Sequence, residues 1–200
     1  MTRTLVRRTV LLALTAAAAV TLAACGGSSS SPMSGMGHTS ASATSTSSDA
    51  AFNDADVSFA QMMIPHHQQA VEMAKLAGTR ADNADVKKLA QRIEAAQGPE
   101  ITTMTGWLTA WGKPTTAGMN MGNGAMPGMM TDTDMTKLKA ATGSAFDKQF
   151  LTMMIVHHQG AITMAKDELA KGSNTEAKTL AQNIITNQQS EIVTMKGLLK

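Results

Sequence analysis

The stretch MMIPHHQQAVEMAK, Met62–Lys75, recurs further along the chain as MMIVHHQGAITMAK, Met153–Lys166. Aligned without a gap at this spacing, residues 59–108 and 150–199 are identical at 24 of 50 positions. The chain therefore contains two copies of one unit. Each copy carries a His-His pair flanked by methionines, and imidazole and thioether groups are ligands that soft or borderline metal ions prefer. The repeat predicts a paired metal site.

The N-terminus has the pattern of an export signal. Three arginines, Arg3, Arg7 and Arg8, precede an apolar run, Val10–Ala19, which is too short to span a membrane. The string Leu22–Gly26 then resembles a bacterial lipobox, in which Cys25 becomes the lipidated first residue. We expect residues 1–24 to be a lipoprotein signal peptide, which places the exported protein, anchored by lipid, on the outer face of the bacterial cell membrane. The alternative is a plain secretory signal with an incidental cysteine.

Charge and cysteine content exclude some classes of function. The net charge of the whole chain is +2, but without residues 1–24 the chain has 14 basic and 15 acidic residues. The mature protein therefore lacks the basic excess that nucleic-acid binding needs. A single cysteine cannot form a disulfide within the chain. Methionine is the unusual component, with 17 residues.

Helical periodicity and helix-capping residues predict four helices. They follow a segment rich in Ser, Thr and Gly over residues 25–51, which we expect to be a flexible, disordered tether. The expected helices are Asp54–Ala77, ended by Gly78; Asn83–Trp111; Asp132–Lys171, with a break at Gly143; and a last helix from Asn174 to the C-terminus.

These elements predict an all-α protein, because no segment has the pattern of a strand. The first repeat covers residues 52–111 and the second covers residues 132–200, with a Met/Gly-rich loop at 112–131 between them. A long connection between two helix pairs suits a crossover better than a simple up-down arrangement. We therefore expect residues 52–200 to form a ferritin-like four-helix bundle built from two repeated helix pairs.

The two histidines of each pair have different positions on the predicted helix. At about 100° per residue, His66 lies in the middle of the apolar stripe, whereas His67 lies at its flank. The second copy repeats this arrangement with His157 and His158. The candidate metal ligands are His66, His67, His157, His158, Met62, Met63, Met73, Met153, Met154 and Met164.

The second helix of each pair has two polar residues at core spacing: Gln97 and Glu100 in the first copy, Gln188 and Glu191 in the second. A buried carboxylate is costly unless it is paired or binds a cation. We expect each glutamate to face the inner histidine, His66 or His157, and either to orient its ring or to bind metal itself. The candidate supporting or alternative ligands are Glu100, Glu191, Met104, Met195, Asp56 and Asp147.

The central loop adds methionines that core packing does not easily explain: Met119, Met121, Met126, Met129 and Met130. Thioether is a poor ligand for hard ions and a good one for Cu(I). Outside the cytoplasm free thiols oxidise, so methionine and histidine suit a Cu(I) binder there better than cysteine does. Copper is therefore the expected ion, with Cu(I) preferred and Cu(II) accepted through histidine.

The repeated pattern Asp-x-x-Phe-x-x-Met-Met-Ile-x-His-His-Gln-x-Ala followed by Met-Ala-Lys resembles the domain-of-unknown-function 305 family. Both copies carry it, at Asp56–Lys75 and Asp147–Lys166, and the resemblance covers about residues 52–200. It implies a ferritin-like four-helix fold outside the cytoplasm. The family includes copper-binding proteins of the CopM type, involved in copper tolerance, so the resemblance assigns the His-His pairs and their adjacent methionines as candidate ligands.

Three functions remain open from the sequence. The leading one is a membrane-anchored protein without catalytic activity that sequesters copper or hands it to a partner protein, as a monomer or a homo-oligomer. The second is a ferritin-like di-metal oxidase or storage module, although the Glu-x-x-His pairs of di-iron bundles are missing, since Met63 and Ile64 precede the two histidines by three residues. The third is a structural or interaction bundle that binds no metal.

Overall fold

A computed structural model describes residues 51–116 and 126–200 of the chain. The described residues form five α-helices and no strand, which confirms the expected all-α fold. The helices are α1 (Asp54–Arg80), α2 (Ala84–Ala110), α3 (Asp132–Ala140), α4 (Gly143–Lys171) and α5 (Thr175–Leu198).

The two helix pairs, α1 with α2 and α4 with α5, pack against each other mainly through α1 and α4. These two helices are antiparallel. Asp56 near the start of α1 accepts hydrogen bonds from the backbone just after α4, and Asp147 near the start of α4 accepts them from the backbone just after α1. Helix α2 follows α1 after a short turn and packs back along it, so α2 and α4 run in the same direction. The chain between α2 and α4 therefore crosses the length of the bundle, as in a ferritin-like topology.

Helix ends follow local capping chemistry, with one departure from the sequence prediction at the end of α1. Asn83 and Asn174 cap α2 and α5 through their side-chain oxygens, as expected. Helix α1 passes through Gly78 and ends three residues later than predicted, because Ala81 terminates it and Asp147 holds the following turn. The expected break near Gly143 is present and divides one predicted helix into α3 and α4.

The contact between α1 and α4 is lined by small and sulfur-containing side chains. Ala70 and Ala161 occupy equivalent positions in the two copies, and both are completely buried. Met63, Met154 and Phe150 are buried in the same core. This packing brings the centres of α1 and α4 together, and both His-His pairs lie there.

Several sequence predictions fall on residues outside the described ranges. They are the signal peptide, the lipidated Cys25, all but the end of the tether, and the loop residues Met119 and Met121. No helix in the described part of the chain has both the length and the apolar character needed to cross a membrane.

Candidate metal site

The inner histidines of the two copies meet at the centre of the bundle. The rings of His66 and His157 have centroids 3.7 Å apart and planes inclined by 37°. Both side chains have no exposed surface. Equivalent residues of the two repeats thus contact each other, so the pseudo-twofold axis that relates the repeats passes between these two rings. The sequence prediction that His66 and His157 point into the core agrees with this geometry.

The outer histidines correct two sequence predictions. His67 and His158 are completely buried and do not lie at the edge of the core. They, and not the inner pair, are the partners of the glutamates: Nε2 of His67 lies 2.7 Å from Oε2 of Glu100, and the equivalent distance from His158 to Glu191 is also 2.7 Å. Helical periodicity gives the angle of a side chain around its own helix but not the direction of the neighbouring helix. Here α4 covers the middle of the α1 stripe and α2 covers its flank.

Five imidazole nitrogens in this centre are buried without a hydrogen-bond partner among the described residues. His157 has no partner at either nitrogen, and the other three histidines have none at Nδ1. The acceptor identifies the tautomer of His66, because its Nε2 lies 3.0 Å from the carbonyl oxygen of Pro127 and must donate to it. The Nδ1 of a neutral His66 therefore carries a lone pair that no neighbour uses.

The environment favours the neutral form of both inner rings. Burial, and then the charges of the neighbouring histidines, lower the pKa of His66 from 6.5 to about 3. The same causes, with burial the largest, lower the pKa of His157 well below its ordinary value. Neutral imidazole is the form that binds a metal ion. The two neutral rings are held in contact and have unused lone pairs, so they have the chemistry of metal ligands.

Methionines surround the histidines along the same helices. Met63, Met73 and Met154 are completely buried, Met153 and Met164 are nearly so, and Met62 is partly buried. Met104 and Met195, on α2 and α5, are also completely buried. Among residues 51–116 and 126–200, no three side chains from His, Cys, Asp and Glu come together as a metal-binding group.

Asp56 and Asp147 are not alternative ligands, contrary to the sequence prediction. Each lies ten residues before the inner histidine of its helix, a separation of about 15 Å along the axis. Their carboxylates hold the ends of the bundle instead. Asp147 accepts from the backbone amides of Asp82 and Asn83 at 3.2 and 2.9 Å, and Asp56 accepts from those of Ser173 and Asn174 at 3.1 and 2.9 Å.

Residues 126–130, which we call the strap, cover the inner histidine pair on one side. Besides the bond from His66 to Pro127, the side-chain amide of Gln69 donates to the carbonyl oxygen of Met130 at 2.9 Å and accepts from its amide at 2.7 Å. On α4 the strap touches the backbone at Gly160, where a Cβ atom would lie 2.8 Å from the Cα of Gly128. Gln69 and Gly160 occupy equivalent positions in the two repeats, but they contact opposite sides of the strap. The α1 side needs a hydrogen-bonding side chain, whereas the α4 side leaves no room for a Cβ atom.

A cavity of about 420 Å³ opens beside the strap. Met62 and Pro65 of α1 line one side of it, and Met126 of the strap lines another. Met62 precedes His66 by one helical turn, and none of the four histidines lines the cavity.

Buried polar groups outside the histidine centre were only partly visible in the sequence. Gln97 and Gln188, recognised as polar residues at core spacing, are buried, and oxygen atoms of both lack a partner among the described residues. Glu168 was missed, although its spacing of 11 residues from His157 places it on the same stripe. The residue is 1% exposed, and its carboxyl group lies next to Asp56 and Gly172. Burial, and then the contact with Asp56, raise the pKa of Glu168 to about 8.

Known proteins share this sequence pattern and this fold. Residues 56–199 match the model of the family described as Domain of unknown function (DUF305). A DUF305 protein from Streptomyces coelicolor has a crystal structure that aligns with 72% of this chain and 91% of its own, at 37% identity and a TM-score of 0.68. CopM in the Cu(II)-bound form aligns with 72% of this chain and 95% of its own, at 37% identity and a TM-score of 0.63.

Two further proteins are also similar to this chain. CopM in the Cu(I)-bound form covers 72% of this chain and 94% of its own, at 35% identity and a TM-score of 0.62. An uncharacterized protein of Acanthamoeba polyphaga mimivirus is 45% identical over 53 residues, which are 26% of this chain and 35% of that protein. The chain thus spans about a third of the length of this curated relative. The extent of the family match shows that the chain belongs to the DUF305 family.

Proposed function

We propose that this protein binds copper outside the cytoplasm and either sequesters it or hands it to a partner. Four histidines and their neighbouring methionines would supply the ligands, with His66 and His157 as the innermost nitrogen donors. The observation that carries the proposal is the contact between these two buried rings, because it joins one donor from each repeat and leaves the nitrogens of His157 without partners.

The cost of burying these nitrogens supports a bound ion. A buried polar atom without a partner costs about 1–3 kcal/mol, and five such imidazole nitrogens cluster at the bundle centre. Apolar side chains of similar size would avoid this cost. A metal ion accepts the lone pairs of neutral imidazoles and would remove this cost at four of the five nitrogens, because a neutral His157 keeps a hydrogen on one of its two.

The type of donor supports copper over harder ions. Thioether sulfur together with imidazole suits Cu(I), whereas Mg²⁺ and Ca²⁺ require oxygen ligands. Structural relatives with over 30% identity are described as CopM in Cu(II)-, Cu(I)- and Ag-bound forms. Ag(I) shares the preference of Cu(I) for soft donors, so the three descriptions agree with a His and Met ligand set. The outer histidines would be oriented by Glu100 and Glu191, which fix Nε2 and leave Nδ1 free.

The proposed location rests on the N-terminal sequence. Export through the signal at residues 1–24 and lipidation of Cys25 would anchor the bundle to the outer face of the cell membrane. The description of the Streptomyces coelicolor relative as a secreted protein supports export. In that compartment methionine and histidine remain usable ligands where thiols would oxidise.

Competition with a chromogenic Cu(I) chelator tests the proposal. We expect the purified protein to remove Cu(I) from the chelator with sub-nanomolar affinity, and the double variant His66→Ala/His157→Ala to bind at least about 100-fold more weakly. His38→Ala is the matched control, because it removes the one histidine outside the two pairs. A wild-type protein that leaves Cu(I) on the chelator would refute the proposal. Iron in the purified protein would favour the di-metal alternative, and a melting temperature unchanged by any metal would favour a structural bundle.

A further inference from the structure

The strap separates the inner histidine pair from solvent on one side of the bundle. Helices α1 and α4 hold the strap in two different ways. His66 and His157 have no exposed surface, whereas Pro127 of the strap, which accepts the hydrogen bond of His66, is exposed. An ion that moves between solvent and these two rings on this side has to pass the strap. The strap is part of neither helix pair, so it can shift without unfolding them.

On the α1 side the strap is held by hydrogen bonds. The amide group of Gln69 forms two of them with the backbone of Met130, at 2.7 and 2.9 Å. Both belong to one side chain and one residue, so both form or break together. Gln69 therefore acts on the strap as a latch.

On the α4 side the strap is held by a close backbone contact. A Cβ atom at Gly128 would lie 2.6 Å from the carbonyl oxygen of Val156 and 3.0 Å from that of His157, and Gly128 has a φ of +78°. A Cβ atom at Gly160 would overlap the backbone of Pro127. Both glycines are needed for the strap to rest on α4 beside the inner histidine.

We propose that the strap is a gate over the inner histidine pair, and that Gln69 and Gly160 set how fast a soft metal ion enters and leaves. This inference rests on the proposed function, since it requires a metal at the histidines. The cavity lined by Met62 and Met126 lies beside the strap and gives the side from which the ion would approach. Gln69 is a positioning residue here, because its side-chain hydrogen bonds go to Met130 of the strap.

Two independent variants open the gate, and each has a matched control. Gln69→Ala removes the latch, with Gln91→Ala at an exposed glutamine of α2 as its control. Gly160→Ala forces the strap away from α4, with Gly106→Ala as its control, because nothing lies within 4 Å of a Cβ atom at Gly106. Far-UV circular dichroism checks that each variant folds. If one variant does not fold, the other alone is sufficient to test the proposal.

Hydrogen exchange of the metal-free protein measures the strap directly. The amide of Met130 is protected by its bond to Gln69. Each lost hydrogen bond changes an opening equilibrium by about two- to tenfold, so we expect the exchange of this amide to accelerate about tenfold in Gln69→Ala and in Gly160→Ala. Both controls should match the wild type.

Stopped-flow transfer of Cu(I) to and from a chromogenic chelator then measures the gate. Opening a barrier raises uptake and release together, so we expect both rates to rise about tenfold while the affinity changes by less than about threefold. Faster amide exchange with unchanged Cu(I) rates would overturn the proposal, as would faster release with unchanged uptake, which would mean that Gln69 only stabilises the bound state. A wild-type protein that binds no Cu(I) would refute the proposed function and the gate together, whereas a binding protein with unchanged rates would refute the gate alone.

Discussion

The buried carboxyl group of Glu168 should make the stability of this bundle fall as the pH rises. Its ordinary pKa of 4.5 is raised to about 8 by burial and by Asp56 on α1, with an opposing effect of Lys178 on α5. Between these two values the folded protein keeps a proton that the unfolded chain has lost. A group with a raised pKa contributes stability that is complete below its unfolded pKa and is lost as the pH rises through its folded pKa.

The size of this loss of stability follows from the difference between the two pKa values. The free energy of unfolding falls by up to about 1.4 kcal/mol for each pH unit in this window, which limits the total loss to about 5 kcal/mol. In Glu168→Gln the side chain keeps its shape and carries no charge at any pH. We expect this variant to match the wild type within about 1 kcal/mol at pH 5 and to be more stable by about 2–5 kcal/mol at pH 8 to 9.

Urea denaturation of the metal-free proteins between pH 5 and pH 9 measures this difference. The control is Asp167→Asn, which changes the exposed neighbour of Glu168 on the same helix and should follow the wild-type profile. The histidine centre lies 11 residues away along α4, so its own titration cancels when the two profiles are subtracted. A difference between Glu168→Gln and wild type that stays constant from pH 5 to pH 9 would refute the assignment of the proton to Glu168.

Three further predictions concern stability, measured by urea denaturation at pH 6. Asp147→Ala should lower the free energy of unfolding by about 2 kcal/mol, because two backbone amides lose a charged acceptor; a loss below about 0.5 kcal/mol would contradict this role. Leu89→Ala should cost about 2–5 kcal/mol, since the side chain is completely buried in the core, and a near-neutral result would mean that the core collapses around the cavity. Lys139→Ala should change stability by less than about 0.5 kcal/mol, because the ion pair with Glu72 is half exposed on both sides.

The repeat and its periodicity were sufficient to predict the fold and the inner histidines. Identity between the copies fixed two equivalent helix pairs, and the angle of His66 within the apolar stripe predicted its burial. Capping residues such as Asn83 and Asn174 marked helix starts correctly, because their chemistry is local.

Contacts between helices were predicted less well. The sequence assigned Glu100 to His66, but the partner is His67, because the position of α2 around α1 is set by packing of the whole bundle. Asp56 was grouped with the ligands by its angle alone, although its distance along the helix axis excludes it. Glu168 and the strap depend on contacts between segments far apart in the sequence. The spacing of Glu168 from His157 places it on the buried stripe, and Gln69 differs from its equivalent Gly160, but neither signal identifies the contacting segment.

The meeting of His66 with His157 also bears on how this chain came to have its shape. Each helix pair presents the same surface to its counterpart, which is the isologous relation of a twofold homodimer. Two identical subunits could form such a contact, but every residue would then be the same on both sides. Joining both halves in one polypeptide frees them to diverge, so that one half can offer an amide at Gln69 while the other offers bare backbone at Gly160. The two sides of the contact can therefore differ in a single covalent chain, whereas in a symmetric dimer they would be identical.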